Sequence, residues 1–382
     1  MQNFVFHNPT LIQFGEGSIG KLSKLLSSES KVLFVYGGGS IKSNGVYDQI
    51  KAQLENIDYI EFSGIEANPE YQTALRAIDL GRQHNVNFVL AVGGGSVADA
   101  CKFIAAAIPY PDEPWDILCG TRVNQAIPVG CVLTLPATGS ESNTSAVINR
   151  SELKQKKAFS SKFVQPQFAV LDPTVTYTLP KRQLINGVID PFVHVIEQYL
   201  TYPVNAMVQD RFAEGIMKNL IELGPKVFEP NDYPTRANLM WNATQALNGL
   251  IGAGVPQDWS THMIGHELTA LYNIDHAATL AIILPRLLTT QKQQKREKLI
   301  QYAQRVWDLD LADEELMIEQ AIDKTEAFFR SLGMKTRLSE YDVDETAPEL
   351  VKNALIKNGY LQLGEHQDIT PDVAANIVKQ SL

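Results

Sequence analysis

Phe88-Val89-Leu90-Ala91-Val92-Gly93-Gly94-Gly95-Ser96-Val97-Ala98-Asp99-Ala100-Cys101-Lys102 is the stretch whose reading decides the fold class. Five apolar residues run into three glycines and a serine, and a helical pattern follows over Val97–Ile108. A short apolar run without polar alternation predicts a strand covered on both faces. Glycine lets the backbone approach an anion closely, and the free amides at a helix N-terminus favour phosphate there. The segment therefore predicts strand, glycine turn and helix around a pyrophosphate-like group. The plain alternative is a tight strand-to-helix turn that holds nothing.

The same pattern recurs on either side. Lys31–Tyr36, Val129–Leu135 and Phe168–Leu171 read as further buried strands, and Pro69–Asn85 reads as a helix. Tyr36 leads into a second glycine run, Gly37-Gly38-Gly39-Ser40-Ile41-Lys42. Strands alternating with helices predict a parallel sheet covered by helices, a Rossmann-like α/β arrangement. A third glycine stretch, Gly15-Glu16-Gly17-Ser18-Ile19-Gly20, fits the dinucleotide pattern GxGxxG. That pattern also wants an acidic residue about twenty positions on, and Phe34–Ser40 supplies none, so it reads as a turn and helix start.

From Pro180 onward the strand signal fades. Asp190–Leu200, Ala206–Leu223, Pro234–Gly249, Asp258–Tyr272, Ala277–Leu288, Gln291–Trp307 and Glu314–Leu332 all carry helical patterns. The chain is expected to divide into an α/β nucleotide-binding domain over 1–180 and an all-α domain over 181–382, with ligands bound in the cleft between them.

Composition narrows the function. Among 382 residues, 45% are hydrophobic and the net charge is −10, which argues against a duplex nucleic-acid partner. The three cysteines, Cys101, Cys119 and Cys131, lack CxxC spacing, so neither a disulfide framework nor a thiolate zinc site is expected. The N-terminal residues show no secretory pattern, and apolar runs such as Phe103–Ile108 are far short of a membrane span. A reduced, cytoplasmic protein is the expectation.

Four of the seven histidines, His194, His262, His266 and His276, fall in the helical half. Asp190 and His194 stand four apart on one expected helix, which puts both side chains on one face. His262 and His266 repeat that spacing on another, and His276 follows the Tyr272-Asn273-Ile274-Asp275 turn. Carboxylate and imidazole suit borderline divalent metals. An Asp/His pair alone is weak, and reads first as a surface ion pair or a satisfied core histidine. The clustering points to a metal, although spacing does not say which of His262 and His266 binds.

At this point the chain resembles the iron-containing (group III) alcohol dehydrogenases. The family pattern GGGSxxDxxK stands here as Gly93–Lys102. Leu171-Asp172-Pro173 through Pro180 to Asp190, His194 and Glu197 follows a second signature, and His262-Met263-Ile264-Gly265-His266-Glu267 through His276-Ala277 a third. The resemblance runs nearly end to end, and looks closest to NADPH-dependent aldehyde reductases and butanol dehydrogenases. It implies Asp190, His194, His262 and His276 as ligands of one divalent metal, Fe²⁺ or Zn²⁺, with His266 near the nicotinamide and substrate. It implies Asn68, Gly94, Gly95, Ser96, Asp99, Thr138 and Lys156 as cofactor-lining positions. Family members that prefer NAD carry an aspartate where this chain has Gly39. Gly37, Gly38, Gly39 and Ser40, with Lys42 close by, instead suit a 2′-phosphate, so NADP(H) is expected.

The implied activity is a metal-dependent alcohol dehydrogenase or aldehyde reductase on small aldehydes and primary alcohols, with His266 as proton relay and a homodimer as the assembly. Two departures stand out. Pro191 follows the ligand aspartate; proline is at home in a first helical turn, which places Asp190 at a helix start. Leu135–Glu141 is also shorter than the commonest family version. A rival class is a dehydroquinate-synthase-like lyase on the same scaffold. It needs phosphate-anchoring basic residues, and no such cluster occurs around 190–276. A metal hydrolase, with the glycine runs as mere turns, is a third.

Overall fold

The computed structural model describes all 382 residues. They form two compact units. One comprises His7–Pro180 and Glu229–Thr244; the other comprises Met1–Phe6, Lys181–Phe228 and Gln245–Leu382.

The first unit is built on eight strands: β1 (Leu11–Phe14), β2 (Lys31–Tyr36), β3 (Asp58–Ser63), β4 (Phe88–Gly94), β5 (Val129–Leu135), β6 (Ser145–Arg150), β7 (Gln155–Ser160) and β8 (Phe168–Leu171). Six of them make one sheet in the order β1-β8-β5-β4-β2-β3, parallel throughout. β6 and β7 form a separate antiparallel pair. The four strands expected from continuous apolar runs are the four inner ones. The outer strands β1 and β3 are half-exposed mixtures, LIQF and DYIEFS, which carry no such signature.

Alternate residues of the inner strands feed two cores. Val32, Phe34, Leu90, Val92 and Val170 pack with Leu22 and Ile50 on one face. Leu33, Val35, Val89, Ala91, Leu133 and Leu171 pack with Ala74, Ile78, Phe103 and Ile104 on the other. Residues of the Tyr71–Gln83 and Gly95–Ala107 helices thus cover one face of the sheet, as the doubly apolar strands require.

Strand order reverses between β2 and β4. From β2 the chain steps outward to β3, whereas β4 lies on the opposite side of β2 and is followed by β5 beyond it. Both glycine runs leave the carboxyl ends of these two strands, the place where open parallel sheets bind ligands. The third run, Gly15–Gly20, makes a turn into a 3-10 segment, Ser18–Lys24, and Gly17 N–H donates to Asp172 Oδ2 at 2.7 Å.

The second unit is helical. Its main helices are Lys181–Tyr199, Met207–Leu223, Ser260–Tyr272, His276–Thr290, Arg296–Arg305, Glu314–Ser331, Ala347–Asn358 and Pro371–Gln380. One expectation is corrected here: Asp190 is not at a helix start. Pro191 lies inside the Lys181–Tyr199 helix. Proline removes one backbone donor at that point, which normally bends or ends a helix. Every residue from Gly187 to Tyr199 is buried, and that packing carries the helix through. No helix is long and apolar enough to cross a membrane.

Candidate functional site

Asp190 and His194, one turn apart on the Lys181–Tyr199 helix, meet His262 from the Ser260–Tyr272 helix. Asp190 Oδ1 is the common point. It lies 3.5 Å from His194 Nδ1, 3.9 Å from His262 Nε2 and 3.9 Å from His276 Nε2. Asp190, His194 and His262 are buried, while the His276 side chain keeps 23% of its surface. Asp275, just before His276, accepts from Asn186 Nδ2 at 2.9 Å, which ties that helix start to the Asp190 helix.

The fit to a cation is tested by what these atoms lack. Asp190 Oδ1, His194 Nδ1 and His262 Nε2 are buried and have no hydrogen-bond partner. Leaving such groups unsatisfied is costly, and several converging on one point is rarer still. Tetrahedral coordination with bonds of about 2.0–2.2 Å puts ligand atoms about 3.3–3.6 Å apart, close to the spacing seen. Asp190, His194 and His262 offer ligand atoms all within 4.8 Å of one another, a fit to a divalent metal in donor type and in reach; His276 Nε2 approaches the shared oxygen to 3.9 Å without joining that mutually close set.

Electrostatics agree. Burial alone would raise the Asp190 carboxyl, but the His194, His262 and His276 rings outweigh it and hold it well below its ordinary value. Burial drives His194 down to about 4, against the pull of Asp190. His262 goes the other way: despite burial, Glu197 and Asp190 push it up to about 9. The carboxylate is thus held in its ionised form, the form that ligates a cation, while the two buried rings shift in opposite directions.

Glu197 explains the orientation of His262. Its Oε2 is hydrogen-bonded to His262 Nδ1, and its Oε1 accepts from Thr261 N–H at 2.6 Å. With Nδ1 held by Glu197, Nε2 is the nitrogen left facing Asp190, where a metal would take the place of its proton. Asp190, His194 and Glu197 stand at i, i+4 and i+7, one stripe of one helix, so the spacing itself marks this residue, whose role the sequence reading left unassigned. Glu197→Gln presents an amide donor to Nδ1 and favours the wrong tautomer. Metal affinity, read by chelator competition, should fall about 10- to 100-fold; wild-type affinity in the variant would remove Glu197 from this role.

His266 lies one turn beyond His262. Its ring centroid is 5.3 Å from that of His276 and 6.2 Å from that of His262. It is buried, at 6% exposure, beside the cluster.

In the α/β unit the residues read as cofactor-lining also gather. A Cβ placed on Gly37 or Gly93 would approach Val97, so the two glycine turns adjoin one another. A Cβ on Gly95 would overlap the Thr138 hydroxyl, which is why that helix start tolerates only glycine. Lys156 Nζ donates to Asn68 Oδ1 at 3.2 Å, and the Ser96 hydroxyl donates to the Ala67 carbonyl. Gly39 has φ 103°, a left-handed conformation that suits glycine, and caps a single turn, Ser40–Ser43. Lys42 Nζ lies 4.9 Å over the Tyr47 ring.

Asp99 ties two segments together. Its carboxylate accepts from Ser140 Oγ at 2.5 Å and from Val147 N–H at 2.9 Å, so it clamps the loop after β5. Lys102, fully buried, adds bonds to Ser140 Oγ, Asn143 Oδ1 and the Ser145 carbonyl at 2.8–2.9 Å. Three acceptors around one buried ammonium make Lys102 the anchor of this loop, a role its place at the end of the GGGSxxDxxK pattern does not reveal.

Comparison with known proteins accounts for both halves. Residues 9–173 match the family model described as iron-containing alcohol dehydrogenase, and residues 184–382 match that of the C-terminal part of the Fe-containing alcohol dehydrogenase family. The chain is 55% identical over 382 residues to the NADPH-dependent aldehyde reductase YqhD of Escherichia coli, covering 99% of each chain. It is 39% identical over 392 residues to a probable NADH-dependent butanol dehydrogenase of Bacillus subtilis, covering 100% of both. Among solved structures it superposes on the NADH-dependent butanol dehydrogenase A of Thermotoga maritima with a TM-score of 0.96 at 34% identity, covering 100% of this chain and 99% of that one. The cofactor-free form of the E. coli aldehyde reductase gives a TM-score of 0.92 at 52% identity, with 100% of both chains covered. With both halves matched in order, a parallel sheet bearing glycine turns and a helical Asp/His cluster, the chain belongs to the iron-containing alcohol dehydrogenase family.

Proposed function

We propose that the protein is a metal-dependent, NADP(H)-linked alcohol dehydrogenase or aldehyde reductase acting on small aldehydes and primary alcohols. The observation that carries this is the convergence of three imidazole nitrogens on Asp190 Oδ1. Family membership and the 55%-identical aldehyde reductase support it.

Asp190, His194, His262 and His276 would hold one divalent metal, iron or zinc, which when bound supplies Lewis-acid polarisation of a substrate oxygen. Gly37, Gly38, Gly39, Ser40, Asn68, Gly94, Gly95, Ser96, Asp99, Thr138 and Lys156 would bind or shape the site of NADP(H), the hydride carrier. Among these, Asp99 also holds the loop after β5. Gly38 and Gly39 leave open space where side chains would stand, and Ser40 and Lys42 bring a hydroxyl and a cation, a setting that suits a 2′-phosphate. Glu197 fixes the His262 ring, and burial shields Asp190, His194 and His262 from water. His266 holds the proton delivered to the product alkoxide at a ring nitrogen.

An NADPH-oxidation screen over aldehydes of graded length, with elemental analysis of the same sample, tests the function. His266→Ala should keep normal metal content while turnover falls about 100-fold or more. Metal lost with that substitution would place His266 among the ligands instead, and no NADPH oxidation with any aldehyde would overturn the reading.

We also propose a homodimer and a cytoplasmic setting. β1 is an outer strand, and Leu11, Phe14 and Trp241 are exposed at 50%, 37% and 43%. An exposed edge strand with apolar neighbours is a ready surface for a second copy. The three cysteines are free, which suits a reducing compartment. Light scattering reads the assembly, and a monomer at micromolar concentration rules out the dimer.

A further inference from the structure

Behind the ligand cluster, three distant segments of the helical unit meet at one buried ammonium. The Lys295 side chain is 2% exposed, and those of Asp258 and Glu365 are each 3% exposed. Lys295 Nζ lies 2.9 Å from Asp258 Oδ2, 2.7 and 2.8 Å from the two Glu365 oxygens, and 2.8 Å from the Leu200 carbonyl.

Each partner sits at a place that matters for the ligands. Leu200 ends the helix that carries Asp190 and His194, since its N–H donates to the Ile196 carbonyl at 2.8 Å. A cation there complements the negative end of the helix dipole. Asp258 caps the helix that carries His262: its Oδ1 accepts from the N–H of Ser260, the first helical residue, at 3.0 Å. The Asp258 N–H in turn donates to the Glu197 carbonyl at 2.9 Å. Glu365 comes from the segment closed by the Leu363–Ile369 bridge, and the neighbouring Gly364 packs on Ser260 and Asp258.

Lys295 thus joins the end of one ligand helix to the beginning of the other. The Glu197–His262 bond spans the same two helices nearer the ligands. Buried ionic groups are poor stabilisers compared with well-packed apolar residues, and their best-attested use is to fix a particular arrangement. We propose that Lys295, held by Asp258 and Glu365, is a positioning residue for the metal centre: it locks the two helices in the register that brings Asp190, His194 and His262 to metal-binding distance. This rests on the reading of those residues as metal ligands.

The experiment uses the full chain stripped of metal by a chelator. Zn²⁺ and Co²⁺ are each titrated against a chromophoric chelator, and the cobalt absorption bands are recorded. Wild type should bind one ion. Lys295→Met should bind at least about 10-fold more weakly and shift the cobalt bands, in the range known for residues that support metal ligands. Asp258→Asn keeps the Ser260 cap but turns an amide donor toward the ammonium, and should weaken binding in the same direction. A Lys295→Met protein that is folded, melts earlier, and yet matches wild type in affinity and cobalt spectrum would overturn the proposal, because Lys295 would then serve stability alone. If Lys295→Met does not fold, Asp258→Asn decides by the same two readouts. A wild-type chain that binds neither ion removes the metal reading itself, and this inference with it.

Discussion

Asp190→Asn should yield a folded protein that retains no metal through dialysis and reduces aldehydes at least about 1,000-fold more slowly, a loss of about 4 kcal/mol in transition-state stabilisation. Asp190 Oδ1 is the atom nearest to all three ring nitrogens, at 3.5, 3.9 and 3.9 Å. Asparagine keeps the size and removes the negative charge at the point where the three rings converge. The neutral amide is also a weaker ligand for a divalent cation than a carboxylate oxygen. Fold should survive, since the helix is held by packing from Gly187 to Tyr199 rather than by this side chain. Elemental analysis and NADPH-oxidation rates read the two losses. A third readout is thermal: metal that binds only the native state raises the midpoint of wild type, and the same addition should leave the variant unmoved. Stoichiometric metal in Asp190→Asn would show that the cluster is not the metal site.

How far the site could be read without coordinates depends on how local each feature is. The strands β2, β4, β5 and β8 are continuous apolar runs, because inner strands of a parallel sheet are buried on both faces, and they were legible. β3, with Asp58, Glu61 and Ser63, looks like a loop until β2 pairs with it residue for residue. Asp190, His194 and His262 announce themselves through helical spacing. Glu197 belongs to the same stripe, but only its bond to His262 reveals what it does. Pro191 misled because a local preference was set against thirteen consecutive buried residues from Gly187 to Tyr199, and packing won. Asp258, Lys295 and Glu365 stand far apart in the chain, so no periodicity could join them; a buried lysine with two carboxylates is visible only in the fold.

Gly39→Asp should reverse the cofactor preference, changing the ratio of kcat/KM for NADPH over NADH by about 1,000-fold. No heavy atom lies within 4 Å of the position a Cβ would take at Gly39, so the side chain has room. The cost is conformational. With φ at 103°, a residue with a Cβ is strained by about 1–2 kcal/mol, and aspartate is among the few that accept left-handed backbone. The nearby acid, Glu61, does not already fill this role: it accepts from the Tyr47 hydroxyl at 3.0 Å and pairs with Lys51 at 3.2 Å. A new carboxylate at the glycine turn would instead accept from a ribose 2′-hydroxyl and repel a 2′-phosphate, so that one substitution acts on both cofactors in opposite directions. Two like charges a few ångströms apart at a protein surface cost about 4 kcal/mol at most, and part of the effect will be lost to salt. Measured at low and at high ionic strength, the NADPH penalty should therefore shrink with salt, whereas a penalty from distorted backbone would not. An unchanged preference ratio in Gly39→Asp would mean that the first glycine turn does not meet the 2′ position, and the assignment of Gly37–Ser40 to the cofactor would fall with it.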